Sequence, residues 1–204
     1  MPGRADERSV DDFDALYSGT PPWDIGRPQP VFVRLADEGE IHGRVLDAGC
    51  GTGEHALMVA SRGFDVLGVD AAPTAIDLAQ RKAAERGLHA RFLVWDALRL
   101  GELGEKFDTV LDSALFHVFD DASRLAYVDS LRSAIAPGGR VFLCCFSDAQ
   151  PGEWGPRRVT RGELQSAFGD GWLIDSIEPI EFVTNVDPPI ALAWLMKARP
   201  LEVG

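Results

Sequence analysis

Short apolar runs alternate along the chain with longer stretches in which apolar residues recur every third or fourth position. The first run opens at Val45-Leu46 and passes at once into Gly49-Cys50-Gly51-Thr52-Gly53, after which a helix is expected over 54–62. A second strand over 65–69 is closed by Asp70. Ile76, Leu78, Ala79 and Ala83 share one helical face over 72–86, and Gly87 stops that helix. Further strands are expected over 90–94, 107–111 and 140–146, with a helix over 121–136 that Pro137-Gly138-Gly139 ends. Thr160 and Glu163 have the spacing of a capping box at the start of a short helix. Residues 172–183 and 189–197 read as strands with only the short loop around Asn185-Val186-Asp187-Pro188 between them, so they form an antiparallel hairpin. The pattern predicts one α/β domain over 1–204: a doubly wound, mostly parallel seven-stranded sheet that ends in an antiparallel hairpin.

The first thirty residues break the regularity. The segment from Pro21-Pro22-Trp23-Asp24 to Arg27-Pro28-Gln29-Pro30 is too rich in proline for a helix or a central strand. It is expected to be a shaped loop, either a brace packed on the sheet or a lid. As a lid, Trp23 would cover a ligand, exclude water and offer its ring face to a cation.

Chemistry concentrates where strands end, because doubly wound sheets bind ligands outside the carboxyl ends of their strands. Glycines at 49, 51 and 53 let a ligand lie on the backbone. Asp70, just past the second strand, stands where such sheets hydrogen-bond a ribose diol, with Ala71 beside it. A dinucleotide fingerprint needs a further glycine at position 54, which is Glu54, a poor neighbour for a pyrophosphate. Carboxylates at Asp47 and Glu54 suit a cationic ligand better. S-adenosylmethionine (SAM), with a sulfonium, an ammonium and no phosphate, fits that requirement. Asp112 and Ser113, at the end of the fourth strand, are expected under its methionine part, with the Asp112 carboxylate on the ammonium. His117 is the one histidine near the expected reaction centre, as a base or as a residue that orients the acceptor. Phe116, Phe119 and Trp154 are either walls of an acceptor site or core.

The segment from Asp47 to Gly53 resembles the first cofactor motif of class I SAM-dependent methyltransferases, whose Rossmann-like fold ends in the same hairpin. Pro22-Trp23-Asp24-Ile25-Gly26 with Pro28 and Pro30 resembles the N-terminal signature of the thiopurine-, thiol- and halide-type members. Asp112-Ser113-Ala114-Leu115-Phe116-His117 and Trp172-Leu173-Ile174-Asp175-Ser176-Ile177 are similar to bacterial heterocyclic-toxin methyltransferases, which O-methylate hydroxyquinolones and related heterocycles. The resemblance covers nearly the whole chain. It implies SAM as cofactor, S-adenosylhomocysteine as product, and the hydroxyl of an aromatic heterocycle as acceptor. A thiol or halide is the alternative acceptor, and a non-catalytic SAM-binding protein is a rival of another class. It also implies that Asp96 reads the adenine amino group with Ala97 beside the ring, although Asp96 is equally placed as a helix N-cap.

Composition removes several alternatives. A net charge of −12 without a Lys/Arg cluster argues against nucleic acid and anionic membranes. No cluster of hard oxygen ligands suggests a metal. The three cysteines form no disulfide framework, and the first fourteen residues lack an apolar signal-peptide core, so a cytoplasmic protein, monomer or homodimer, is expected.

Overall fold

The computed structural model describes residues 9–152 and 155–201; of the expectations above, Trp154 and the start of the N-terminal segment lie outside them. The strands are β1 (Val45–Ala48), β2 (Val66–Asp70), β3 (Arg91–Val94), β4 (Phe107–Ser113), β5 (Ile135–Phe146), β6 (Trp172–Val183) and β7 (Ile190–Pro200), in the order β3-β2-β1-β4-β5-β7-β6. β1 to β5 pair in parallel, and β7 runs antiparallel to both β5 and β6. The chain runs outward from β1 through β2 to β3, then returns to β4 on the other side of β1. That reversal opens a crevice at the carboxyl ends of β1 and β4.

Helices α1 (Val10–Leu16), α2 (Pro30–Asp37), α3 (Glu54–Ser61), α4 (Pro73–Arg86), α5 (Asp121–Ala134) and α6 (Arg161–Ala167) flank the sheet. Strand alternation divides the core in two. Leu46, Ala48 and Val110 pack with Tyr127 and Leu131 of α5, while Val45 and Leu111 pack with Leu57 of α3, Ile76 of α4 and Phe32 of α2. The same parity sends Asp47 under α3 and Asp112 under α5, which decides what those carboxylates can touch.

Three elements depart from expectation. α1 is capped by Ser9 and Asp12 in a reciprocal box, a signal shortened from the usual Glu or Gln to Asp. α2 begins on Pro30, which is tolerated at the first helical position because its missing N–H needs no partner there. α5 ends at Ala134, two residues early, because Ile135 turns extended and pairs with Phe107. Pro137-Gly138-Gly139 is therefore a bulge within β5, not the linker before it. At Gly139 a Cβ would lie 2.9 Å from the Asp108 carbonyl oxygen, so the bulge packs too closely for a side chain.

Candidate active site

The floor of the crevice is the turn between β1 and α3. Gly49, Gly51 and Gly53 all have positive φ, a region that costs other residues steric strain. Gly53 also has no room, since a Cβ there would lie 2.8 Å from the Phe92 ring. Asp70, partly exposed at the end of β2, ties the turn down: Gly51 N donates to Oδ2 (2.8 Å) and Ala72 N to Oδ1 (2.9 Å). Burial lifts its pKa, and these backbone donors oppose the rise. Each oxygen keeps lone-pair capacity, as a bound diol requires. Beside it, Trp95 N donates to the Asp70 carbonyl (2.9 Å), bringing the exposed Asp96 next to β2. Leu98 N donates to Asp96 Oδ1 (2.9 Å), so Asp96 caps the following 3₁₀ turn with one oxygen. Ala97 is buried behind it.

Four expected roles are corrected by these packing faces. Asp47 has no exposed surface; Ala56 N donates to its Oδ2 (3.0 Å), and Oδ1 is buried without a partner. Burial raises its pKa to about 7, and it lies under the turn, out of reach of a ligand. Glu54 offers no free charge to a cation, because Arg86 grips both its oxygens (2.8 Å each) and Lys82 Nζ adds a third contact (2.8 Å). Burial works against its ionised form, but the Arg86 and Lys82 hydrogen bonds outweigh it and hold its pKa below the usual range. Asp112 is also fully buried, accepting from Leu115 N (2.8 Å), Phe116 N (3.2 Å) and the Tyr127 hydroxyl (3.0 Å), with its pKa raised to about 7 by burial. It cannot hold an ammonium in the crevice; it braces the loop after β4. Ser113, the next residue, does face the crevice.

His117 is the fourth correction. It is buried, with its ring edge-on to Phe146, and Phe146 N donates to Nδ1 (3.0 Å). A neutral imidazole has one lone pair, and here the Phe146 amide occupies it. Burial, with Arg124 and Arg158 nearby, lowers its pKa to about 3. His117 therefore has no free site to accept a proton. Phe116 is fully buried under the Arg124 guanidinium and belongs to the core, and the half-buried Phe119 packs against that core on Tyr127.

The loop expected as a brace or a lid is fastened at several points. The loop over 21–29 lies across the glycine turn, and between them is an open cleft lined by Trp23, Ile25, Arg27, His55, Ser113 and Phe182 among others. Asp24 Oδ2 accepts from Thr52 Oγ1 (2.8 Å), and Lys82 Nζ donates to the same Thr52 oxygen (2.7 Å), linking lid, turn and α4. From the far side, Asn185 Nδ2 donates to the carbonyls of Pro21 (2.8 Å) and Asp24 (3.0 Å). Gln29 pairs reciprocally with the backbone of Val183, donating to its carbonyl (2.8 Å) and accepting from its N–H (2.9 Å). Trp23 Nε1 donates to the hydroxyl of Tyr17 (3.2 Å), and a Cβ at Gly51 would lie 3.0 Å from that hydroxyl.

His55 was passed over as a helix residue, yet it lines the cleft. Gln29 N donates to its Nε2 (3.1 Å), and burial lowers its pKa to about 4. Arg27 also lines the cleft and makes no ion pair or hydrogen bond among the described residues. Tyr17, His55 and Arg27 carry no local motif; only the positions of Tyr17 and Arg27 flanking the Trp23 loop hinted at them.

The arrangement fits the cofactor expected from sequence: a partly exposed carboxylate at the end of β2, a turn without side chains, and an indole lining the cleft. Comparisons with known proteins agree. The family model for a methyltransferase domain matches residues 45–139. A 2-heptyl-1-hydroxyquinolin-4(1H)-one methyltransferase of Mycobacteroides abscessus is 40% identical over 192 residues, covering 89% of this chain and 85% of that protein. A solved structure described under the conversion of a disulfide bond into a thioacetal group during echinomycin biosynthesis superposes with a TM-score of 0.87 at 38% identity, covering 94% of this chain and 93% of that one. The magnesium protoporphyrin IX methyltransferase of Synechocystis PCC 6803, solved with bound SAM, superposes with a TM-score of 0.63 at 25% identity, covering 82% and 75%. On fold, motif and identity together, the chain belongs to the class I SAM-dependent methyltransferases.

Proposed function

We propose that this enzyme methylates the hydroxyl of a small aromatic heterocycle. One observation carries the acceptor class: beside Ser113 the cleft is walled by Trp23, Ile25 and Phe182, an apolar and aromatic lining that suits a planar ring. The hydroxyquinolone substrate named for the Mycobacteroides abscessus relative belongs to that class.

When bound, SAM supplies an activated methyl group, so the protein's tasks are positioning and exclusion of water. Asp70 accepts from the ribose hydroxyls and Asp96 from the adenine amino group, with Ala71 and Ala97 beside them. Gly49, Gly51 and Gly53 let the cofactor lie against the backbone. Arg27, an unpaired cation at the cleft, takes the cofactor's carboxylate. Trp23 closes over the sulfonium and stabilises it with its ring face. His117 positions the loop after β4 through Phe146. Three buried, unpaired cysteines support a reducing, cytoplasmic setting, and no described helix is long and apolar enough to cross a membrane. The test is a panel of hydroxyquinolones, simple phenols, thiols and halides assayed for S-adenosylhomocysteine release. Turnover of the heterocyclic hydroxyls well above the rest is expected; turnover confined to thiols or halides would reassign the acceptor.

A further inference from the structure

Lys82 lies on α4, outside the cleft, yet its ammonium reaches the joint between floor and lid. It donates to Thr52 Oγ1 (2.7 Å) and Glu54 Oε1 (2.8 Å), and Asp24 Oδ2 stands 4.0 Å away. An ammonium has hydrogens to give and no lone pair to receive one. The Thr52 hydroxyl therefore accepts from Lys82, and its own hydrogen is directed to Asp24 Oδ2 (2.8 Å). Lys82 thus sets the direction of the hydrogen bond by which the glycine turn holds the lid. Lys82 is itself held: Arg86, one turn further along α4, takes both Glu54 oxygens and fixes the carboxylate against which the ammonium rests. Thr52 and Glu54 are buried, and only 23% of the Lys82 side chain and 16% of the Asp24 side chain are exposed. Water therefore screens these charges less than it does a surface pair.

What Asp24 holds gives this joint its importance. Its neighbours in sequence, Trp23 and Ile25, are walls of the cleft. Gly26, at φ +67°, turns the chain immediately afterwards and donates its N–H to Asp24 Oδ1 (3.1 Å). The carboxylate therefore fixes the tip of the loop, with one oxygen on the loop's own backbone and the other on Thr52. Other fastenings lie to either side: Asn185 holds the backbone carbonyls of Pro21 and Asp24, and Gln29 pairs with Val183 beyond the tip. The same helix α4 also anchors the start of the segment, since Thr74 donates to Asp14 of α1 through N (2.8 Å) and Oγ1 (2.9 Å).

We propose that Lys82 is a positioning residue for methyl transfer: acting through Thr52 and Asp24, it holds the Trp23 and Ile25 walls where the acceptor binds. This rests on the function proposed above, which places the acceptor in this cleft. Lying outside the cleft, Lys82 acts on neither ligand directly. Without its ammonium the Thr52 hydroxyl is free to rotate away from Asp24, and the lid tip loosens while the ties between Asp70 and the turn stay intact. The loss therefore falls on the acceptor and on the order of the lid, and far less on the cofactor.

The experiment compares Lys82→Met, Thr52→Val and the double variant with the conservative change Thr52→Ser. Each is assayed for the KM of a 1-hydroxyquinolone at saturating SAM and for S-adenosylhomocysteine affinity by calorimetry. Hydrogen exchange of the amides of residues 23–27 is followed in the S-adenosylhomocysteine complex. The expected result is a KM raised on the order of tenfold in both single variants, as for one lost hydrogen bond to a charged group, with the lid amides exchanging faster by a similar factor. S-adenosylhomocysteine affinity should stay near that of wild type. The double variant should be no worse than either single one, because both break the same chain of bonds, and Thr52→Ser should restore wild-type values. Wild-type KM and exchange in Lys82→Met, additive losses in the double variant, or cofactor affinity falling as far as acceptor affinity would overturn the inference. Should Lys82→Met not fold, Thr52→Val, which leaves the Glu54 ion pairs in place, decides alone. Absence of S-adenosylhomocysteine release with every acceptor would instead contradict the proposed function. Exchange of the lid amides needs no turnover, and it then still decides whether Lys82 holds the lid.

Discussion

The floor and the lid of the cleft are built on opposite principles. The floor is local: β1, the glycine turn and β2 place their groups within about one strand-turn-helix unit, and buried carboxylates hold backbone N–H groups from below. The lid is assembled from afar. Gln29 reaches Val183, and Asn185 reaches Pro21 and Asp24, each across more than a hundred and fifty residues of chain. Asp24 with Thr52, and Gln29 with His55 at the start of α3, join the two directly. A short motif can specify the floor, whereas the lid exists only when the terminal hairpin has folded, so the two regions should fail differently when damaged.

The largest effect is expected on the floor. Asp70→Ala removes the proposed ribose contacts and unties Gly51 and Ala72, and should weaken SAM by about 1–3 kcal/mol. Calorimetry checks this, and an unchanged affinity would remove Asp70 from the binding role. Damage to the lid should leave cofactor affinity closer to normal and act on the acceptor. Asn185→Ala deletes two hydrogen bonds to the loop, worth about 1–2 kcal/mol together, so acceptor KM should rise roughly five- to thirty-fold. Should SAM affinity fall as far as acceptor affinity, lid and floor are one unit and the contrast fails.

Two smaller tests concern what lies beneath the floor. Burial raises the Asp112 pKa to about 7, above its value in an unfolded chain. Folding therefore takes up a proton between about pH 4 and pH 7, and this contribution to stability is lost as pH rises through that window. Asp112→Asn cannot ionise. The wild-type Tm, taken relative to the variant, should fall across the window by about 2–4 °C for each ~1 kcal/mol involved; a constant difference would show that Asp112 stays ionised. Ala114, next to Ser113, has φ +71°, a conformation that costs a non-glycine residue on the order of 1 kcal/mol. Ala114→Gly should therefore change the Tm only slightly, upward, while loosening Ser113 and lowering kcat. A stabilised variant with unaltered kcat would mean that the strained backbone does not serve the cleft.

The contrast also explains what could be read from the sequence. Strand periodicity, the glycine turn and the carboxylate after β2 are short-range signals, and they located the strands, the terminal hairpin and the cofactor class. The same signals misplaced Asp47 and Asp112, because a carboxylate near a strand end looks alike whichever face it takes. Counting alternation from Val45 and Leu46 would have put Asp47 under α3, and counting from Val110 would have put Asp112 against α5. His117 failed for another reason, since proximity in sequence says nothing about which nitrogen a distant amide occupies. Tyr17, Arg27 and His55 were passed over because their roles arise only when the lid meets the floor, and Asn185 because it acts through backbone carbonyls of another segment.

The most direct test of the central claim, that chemistry happens between this floor and this lid, is a crystal structure with S-adenosylhomocysteine and a hydroxyquinolone bound together. The predicted result has the ribose on Asp70, and the sulfur and the acceptor oxygen facing each other beside Ser113 under Trp23, with Asp24 still on Thr52. An acceptor bound outside the cleft, or a lid displaced from Thr52 with both ligands in place, would contradict it.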